Sequence, residues 1–75
     1  MTKVSIEFRD VKEVEGFVKI LNNYTYECDL HWGSYYVDAK SLLGVLTLQN
    51  SSGIELIIHA DQADELLENI GQYCC

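Results

Sequence analysis

The hydrophobic period of this chain switches between two and that of a helix along its 75 residues, and few architectures satisfy both. Val4, Ile6 and Phe8 alternate strictly with Lys3, Ser5, Glu7 and Arg9, the pattern of a strand with one wet face. Val11, Val14, Phe17, Val18 and Leu21 then fall on one face of a helix, opposite Lys12, Glu13, Glu15, Lys19 and Asn22. Alternation returns from Tyr24 to Trp32. Strands wet on one side need helices to cover the other, which predicts an α+β layer fold.

The boundaries carry their own signals. Asp10 precedes Glu13 by three residues, a capping-box spacing with Asp as the cap. Gly16 weakens the first helix and is expected to permit close approach to the sheet. Asn22-Asn23 is the stop. Tyr24, Tyr26, Cys28, Leu30 and Trp32 share one strand face, and Gly33-Ser34 turns the chain into a second arm, Tyr35–Asp38. Ser41 is placed to cap a short helix carrying Leu42, Leu43, Val45, Leu46 and Leu48. Ile54–His59 is apolar enough to be an internal strand. Asp61 is expected to cap a last helix with Ala63, Leu66, Leu67, Ile70 and Cys74 on its buried face. The order is βαββαβα, expected as a single domain over residues 1–75.

Composition narrows the function classes. A hydrophobic fraction of 48% supports a packed core. A net charge of -7 opposes a phosphate backbone and argues against nucleic acid. No apolar run resembles a signal peptide or a membrane span, so a cytoplasmic location is expected. The three cysteines match neither a disulfide framework nor a zinc site. Cys28 reads as core, and Cys74-Cys75 as a tail near a frayed end. There are two histidines and no proline.

The segment Val37-Asp38-Ala39-Lys40-Ser41-Leu42-Leu43-Gly44-Val45-Leu46-Thr47-Leu48 resembles the regulatory-serine segment of HPr, the phosphocarrier family of the bacterial phosphoenolpyruvate-dependent sugar phosphotransferase system. That segment commonly reads V-N-A-K-S-I-M-G-V-M-S-L. Gly53–Ile58 followed by Ala60-Asp61-Gln62-Ala63-Asp64-Glu65 resembles the family's last strand and its A-D-G-A-D-E turn. The resemblance implies an open-faced β-sandwich: a four-stranded antiparallel sheet covered on one face by three helices. It also implies a non-catalytic protein that needs no cofactor.

The family's active centre is a G-x-H-A-R-P-A motif whose His carries the phosphoryl group. The matching stretch here is Phe8-Arg9-Asp10-Val11-Lys12-Glu13-Val14, which puts Asp10 at the His, Lys12 at the Arg and Glu13 at the Pro. Without a proline the motif is absent in any register. Imidazole suits reversible phosphoryl relay, being a nucleophile near neutral pH and a good leaving group when protonated. Asp10 beside Glu13 repels an incoming phosphate, and its plain role is a helix cap.

The expectation is therefore an HPr-like regulatory or interaction module without the phosphocarrier His, switched by phosphorylation at Ser41. The resemblance implies that Lys40, Leu42, Leu43 and Leu46 meet partners, namely phosphotransferase-system proteins, a serine kinase or a regulatory protein. A short helix cannot turn all five of its apolar residues inward, which independently favours an exposed patch, and the resemblance favours docking at Leu42 and Leu46. Two alternatives stand beside this reading. One is a phosphocarrier using another acceptor such as Asp10. The other is a small ligand- or metal-binding α+β domain, in which His31 and His59 face one another across neighbouring strands with Glu27, Asp29 or Glu55 nearby. The plain reading of the two histidines is solvated surface groups with no metal.

Overall fold

The computed structural model describes residues 1–75. Its elements are β1 (Thr2–Ile6), α1 (Val11–Leu21), β2 (Cys28–Trp32), β3 (Tyr35–Asp38), α2 (Leu42–Leu46), β4 (Ile54–Ile58) and α3 (Asp64–Asn69), followed by a 3-10 turn at Gly71–Tyr73. The strands form one antiparallel sheet in the order β1-β4-β2-β3. The helices lie on one face of it, giving the open-faced sandwich. No helix is long and apolar enough to cross a membrane.

Strand β4 is internal, as its composition predicts. Ile54, Leu56 and Ile58 point into the core beneath the helices. Ile57 lies on the opposite face, yet is only 6% exposed between its register partners Lys3 and Asp29. The helices contribute Val14, Phe17, Leu21, Val45, Leu66 and Ile70 to the same core. Val11 is the exception on its stripe, since at the first helical position it remains exposed.

Helix α1 begins as the capping-box spacing predicts, with one displacement. The Asp10 carboxylate accepts from the Glu13 amide at 2.9 Å. The returning arm goes to the residue before the cap: the Arg9 amide donates to Glu13 at 2.7 Å. At the other end the Asn22 side chain donates to the Val18 and Lys40 carbonyls, closing the helix against the segment before α2.

Three sequence expectations change at the C-terminal end. Ala63, not Asp61, occupies the N-cap of α3, and it supplies no side-chain bond. Asp61 instead pairs with the exposed Met1 ammonium at 3.0 Å. Cys74 is not on the buried face of α3, because the 3-10 turn reorients the chain and buries Tyr73 in its place. Nor is the end frayed. The Glu7 amide donates to the Tyr73 carbonyl, and the Cys75 amide donates to the Ser5 carbonyl. Gly16 approaches Tyr73 rather than the sheet. Helix α2 also stops earlier than its apolar run, with Thr47 as its C-cap and Leu48 buried beyond it.

Candidate functional site

The N-terminus of α1 faces a shallow cleft of about 240 Å³ formed with Glu7, Arg9, Glu13 and the segment Gln72–Cys75. Arg9 grips Glu13 through both its amide and its guanidinium, the latter at 3.0 Å. Those bonds hold the Glu13 carboxyl below its ordinary range and push the Arg9 guanidinium higher still. Asp10 is exposed, but its Oδ1 is committed to capping. Lys12 is exposed beside it. The groups at this helix start and its cleft are therefore three carboxylates, Glu7, Asp10 and Glu13, and two cations, Arg9 and Lys12, with no imidazole among them.

Both histidines lie on the open face of the sheet. His31 stacks on Tyr36 with ring centroids 4.3 Å apart and lies 3.8 Å from Glu55. His59 Nε2 is 2.8 Å from Asp29 Oδ2. A carboxylate only accepts, so Nε2 carries the proton there. Although β2 and β4 are neighbours, His31 is opposite Glu55, whereas the His59 amide donates to the Glu27 carbonyl. Four residues of strand therefore separate the rings, and they do not face each other. No three His, Cys, Asp or Glu side chains converge as metal ligands. The metal-site alternative thus loses the juxtaposition it required.

The second region surrounds α2. Ser41 sits at the N-cap in extended conformation, and its Oγ accepts from the Gly44 amide at 3.4 Å. It is half-buried. Lys40 directly precedes Ser41, but its ammonium donates to the Tyr24 carbonyl at 2.6 Å, and its amide donates to Asp38. Its charge is anchored to the loop after α1 instead of standing free beside the Ser41 hydroxyl. Along α2, Val45 is fully buried and Leu46 is half-buried against the core. Leu42 is 39% exposed and Leu43 is 79% exposed. The exposed pair is thus Leu42 and Leu43, whereas the resemblance favoured docking at Leu42 and Leu46.

One feature of the first region gave no sequence signal. The C-terminal segment lines the α1 cleft because Cys74 bridges to Ile6 at the end of β1. No periodicity marks a one-residue bridge. All three thiols are free; Cys28 is buried, while Cys74 and Cys75 are exposed. Burial raises the Cys28 and Cys74 thiols above their ordinary value.

A family model described as the PTS HPr component phosphorylation site matches residues 11–74. Solved structures share the fold. A phosphocarrier protein HPr from Bacillus anthracis str. Ames is 22% identical over 99% of this chain and 94% of its own, with a TM-score of 0.74. HPr-C-His from Thermoanaerobacter tengcongensis is 18% identical over 95% and 85%, with a TM-score of 0.72. The catabolite repression protein Crh of Bacillus subtilis is 24% identical over 97% and 85%, with a TM-score of 0.68. No curated protein sequence matches the chain.

Proposed function

Because the chain belongs to the HPr family of the sugar phosphotransferase system, we propose that it serves there as a cytoplasmic regulatory or interaction protein carrying no phosphoryl group on histidine. Proteins of this family are phosphocarriers, not catalytic enzymes. The observation that carries the reading is the start of α1. Asp10 and Glu13 close it where a phosphocarrier presents an imidazole, and both imidazoles of the chain are tied to carboxylates on the open sheet face. Asp10 is a poor substitute acceptor, because one of its two oxygens is held by the Glu13 amide and its neighbour is anionic.

In this reading Ser41 is the switch. A kinase transfers the γ-phosphoryl group of ATP to Oγ, the hydroxyl proton leaves, and ADP departs. The modified side chain gains about -1.5 to -2 charge beside the first amides of α2 and the exposed Leu42 and Leu43. Those two leucines, with Leu46 and Lys40 at the margin, form the docking surface for a phosphotransferase-system protein. The likeness in fold to Crh, named for catabolite repression, supports a regulatory role.

The test has two arms. With phosphoenolpyruvate and enzyme I, the protein takes no acid-labile histidine label. With ATP and the serine kinase of the system, it takes label that Ser41→Ala abolishes. Histidine labelling, or no Ser41 label together with no affinity for any purified phosphotransferase protein, defeats the proposal. Leu43→Lys weakens that affinity and leaves the thermal midpoint unchanged, since Leu43 is mostly in solvent.

A further inference from the structure

The two edges of the sheet are covered differently. At the β1 edge the Ser5 carbonyl and the Glu7 amide are taken by the C-terminal segment. At the other edge, β3 has no such cover. The Ala39 amide donates to the Cys28 carbonyl, so hydrogen-bonded pairs with β2 recur at Val37 and Tyr35. The intervening residues Tyr36 and Asp38 turn their backbone groups away from the sheet. The close His31–Tyr36 stack fits this phase, because non-hydrogen-bonded pairs bring side chains nearest. The Asp38 carbonyl accepts from the Ser41 amide. That leaves the Tyr36 amide, the Tyr36 carbonyl and the Asp38 amide facing outward. Of the usual protections of an edge, β3 has shortness and the charge of Asp38 but no lysine, proline or bulge.

Each face beside this edge has a feature that suits a guest strand. On the helix-covered face, Trp32, Tyr35, Val37, Thr47 and Leu48 line an apolar cleft of about 240 Å³. Trp32 and Tyr35 stack there with centroids 6.2 Å apart. The cleft stays open because α2 ends at Leu46. Near the Asp38 end, Glu27, Asp29 and Asp38 line a second cleft of about 280 Å³. Its one cation, Lys40, is already bound to the Tyr24 carbonyl. Tyr35 and Tyr36 are 65% and 64% exposed between the two clefts.

We propose that β3 docks an extended basic segment of a partner protein as a fifth strand. Side chains of an added strand alternate between faces. One set enters the apolar cleft and should be aliphatic or aromatic. The other lies along Tyr36 toward the acidic cleft and should be lysine or arginine. Charge selects this occupant over a second copy, since edge-to-edge pairing would join two chains of net charge -7. Backbone pairing supplies the affinity and the two clefts supply the choice of side chains. The inference does not depend on the Ser41 switch.

The probe is a short peptide alternating lysine with valine, titrated into nitrogen-15-labelled protein. The expected result is a shift of the Tyr36 and Asp38 amides and their protection from hydrogen exchange. Affinity should fall as salt rises from about 0.01 M to about 0.15 M, as screening sets in. A glutamate–valine peptide should not bind. Tyr36→Pro, which removes an outward amide without touching the β2 ladder, should weaken binding about tenfold. Should that variant unfold, Glu27→Lys carries the test, because the exposed Glu27 side chain has no partner and its reversal should weaken the peptide and flatten the salt dependence. Unmoved Tyr36 and Asp38 amides, equal binding of the acidic peptide, or a Glu27→Lys variant that binds unchanged overturns the proposal. So does sedimentation showing a dimer that Tyr36→Pro dissolves, which would assign the edge to a second copy.

Discussion

The phenolic oxygen of Tyr73 lies 2.6 Å from the point that a Cβ on Gly16 would occupy. Tyr73 cannot easily withdraw. Its ring packs edge-on against Phe17 at 5.6 Å, and Phe8 lies 6.1 Å away. Gly16→Ala gains helix propensity of up to about 1 kcal/mol. Overpacking against the pinned ring costs about 1–3 kcal/mol. The net expectation is a loss of about 1 kcal/mol in chemical denaturation. In a Tyr73→Phe background, which removes the obstructing oxygen, the same alanine should stabilise. If Gly16→Ala stabilises both backgrounds equally, the contact is not limiting.

That contact shows what the amino-acid pattern could and could not convey. Strands β1 and β2 and the buried side of α1 follow from alternation and helical spacing, and β3 from the Gly33-Ser34 turn, although the alternation also continues through Phe8 and Tyr24–Glu27, where the chain is not strand. The internal place of β4 follows from its four apolar residues in five, Ile54, Leu56, Ile57 and Ile58. The C-terminal end was less legible. Asp61 is the capping type of residue there, yet α3 starts from Ala63, which forms no side-chain cap bond and so leaves no local signal. Tyr73 replaces Cys74 in the core because a 3-10 turn changes the period within one turn. At the candidate site, the Ser41 cap and the existence of an exposed patch were readable, because a short helix cannot bury every residue of its apolar run, but which leucines stay exposed was not. The Lys40–Tyr24 bond was not, since it joins segments 16 residues apart.

Acid should weaken the start of α1. Bonds from the Arg9 amide and guanidinium hold the Glu13 pKa below its ordinary 4.5. A carboxyl lowered on folding contributes fully above its unfolded value and loses that contribution as pH falls through the folded one. The contribution is therefore complete at neutral pH and is lost only as pH falls below about 4.5. Comparing thermal midpoints at about pH 6 and about pH 3 should show a smaller drop for Glu13→Gln than for the parent protein. Equal drops would mean that the Arg9–Glu13 bonds do not persist in solution.

The three thiols should separate into two classes. Cys28 is 3% exposed and burial raises its pKa, so little thiolate is present and reagent access is blocked. Cys74 and Cys75 are exposed at the α1 cleft. Titration of the native protein with an aromatic disulfide reagent near pH 8 should modify two thiols and leave Cys28 until denaturant is added. Cys28→Ser should leave the native count unchanged. Three rapid equivalents from native protein would contradict the packing of β2.

Ser41 and Lys40 stabilise the same turn by different bonds, and their variants should rank accordingly. Ser41→Ala removes a cap whose bond to the Gly44 amide is long, 3.4 Å, so the cost should be near the low end for caps, about 0.5 kcal/mol. Ser41→Asp keeps an acceptor at the helix start and should cost less still. Lys40→Met deletes a short charge-assisted bond of 2.6 Å to a part-buried carbonyl and leaves Tyr24 O without that donor. Its cost should be about 1–2 kcal/mol. The aliphatic stem is retained, so lost packing does not confuse the comparison. Urea denaturation of the three variants should give the order Lys40→Met, then Ser41→Ala, then Ser41→Asp from least to most stable. A Lys40→Met variant as stable as the parent would show that the ammonium is free in solution, and therefore available to a phosphate on Ser41.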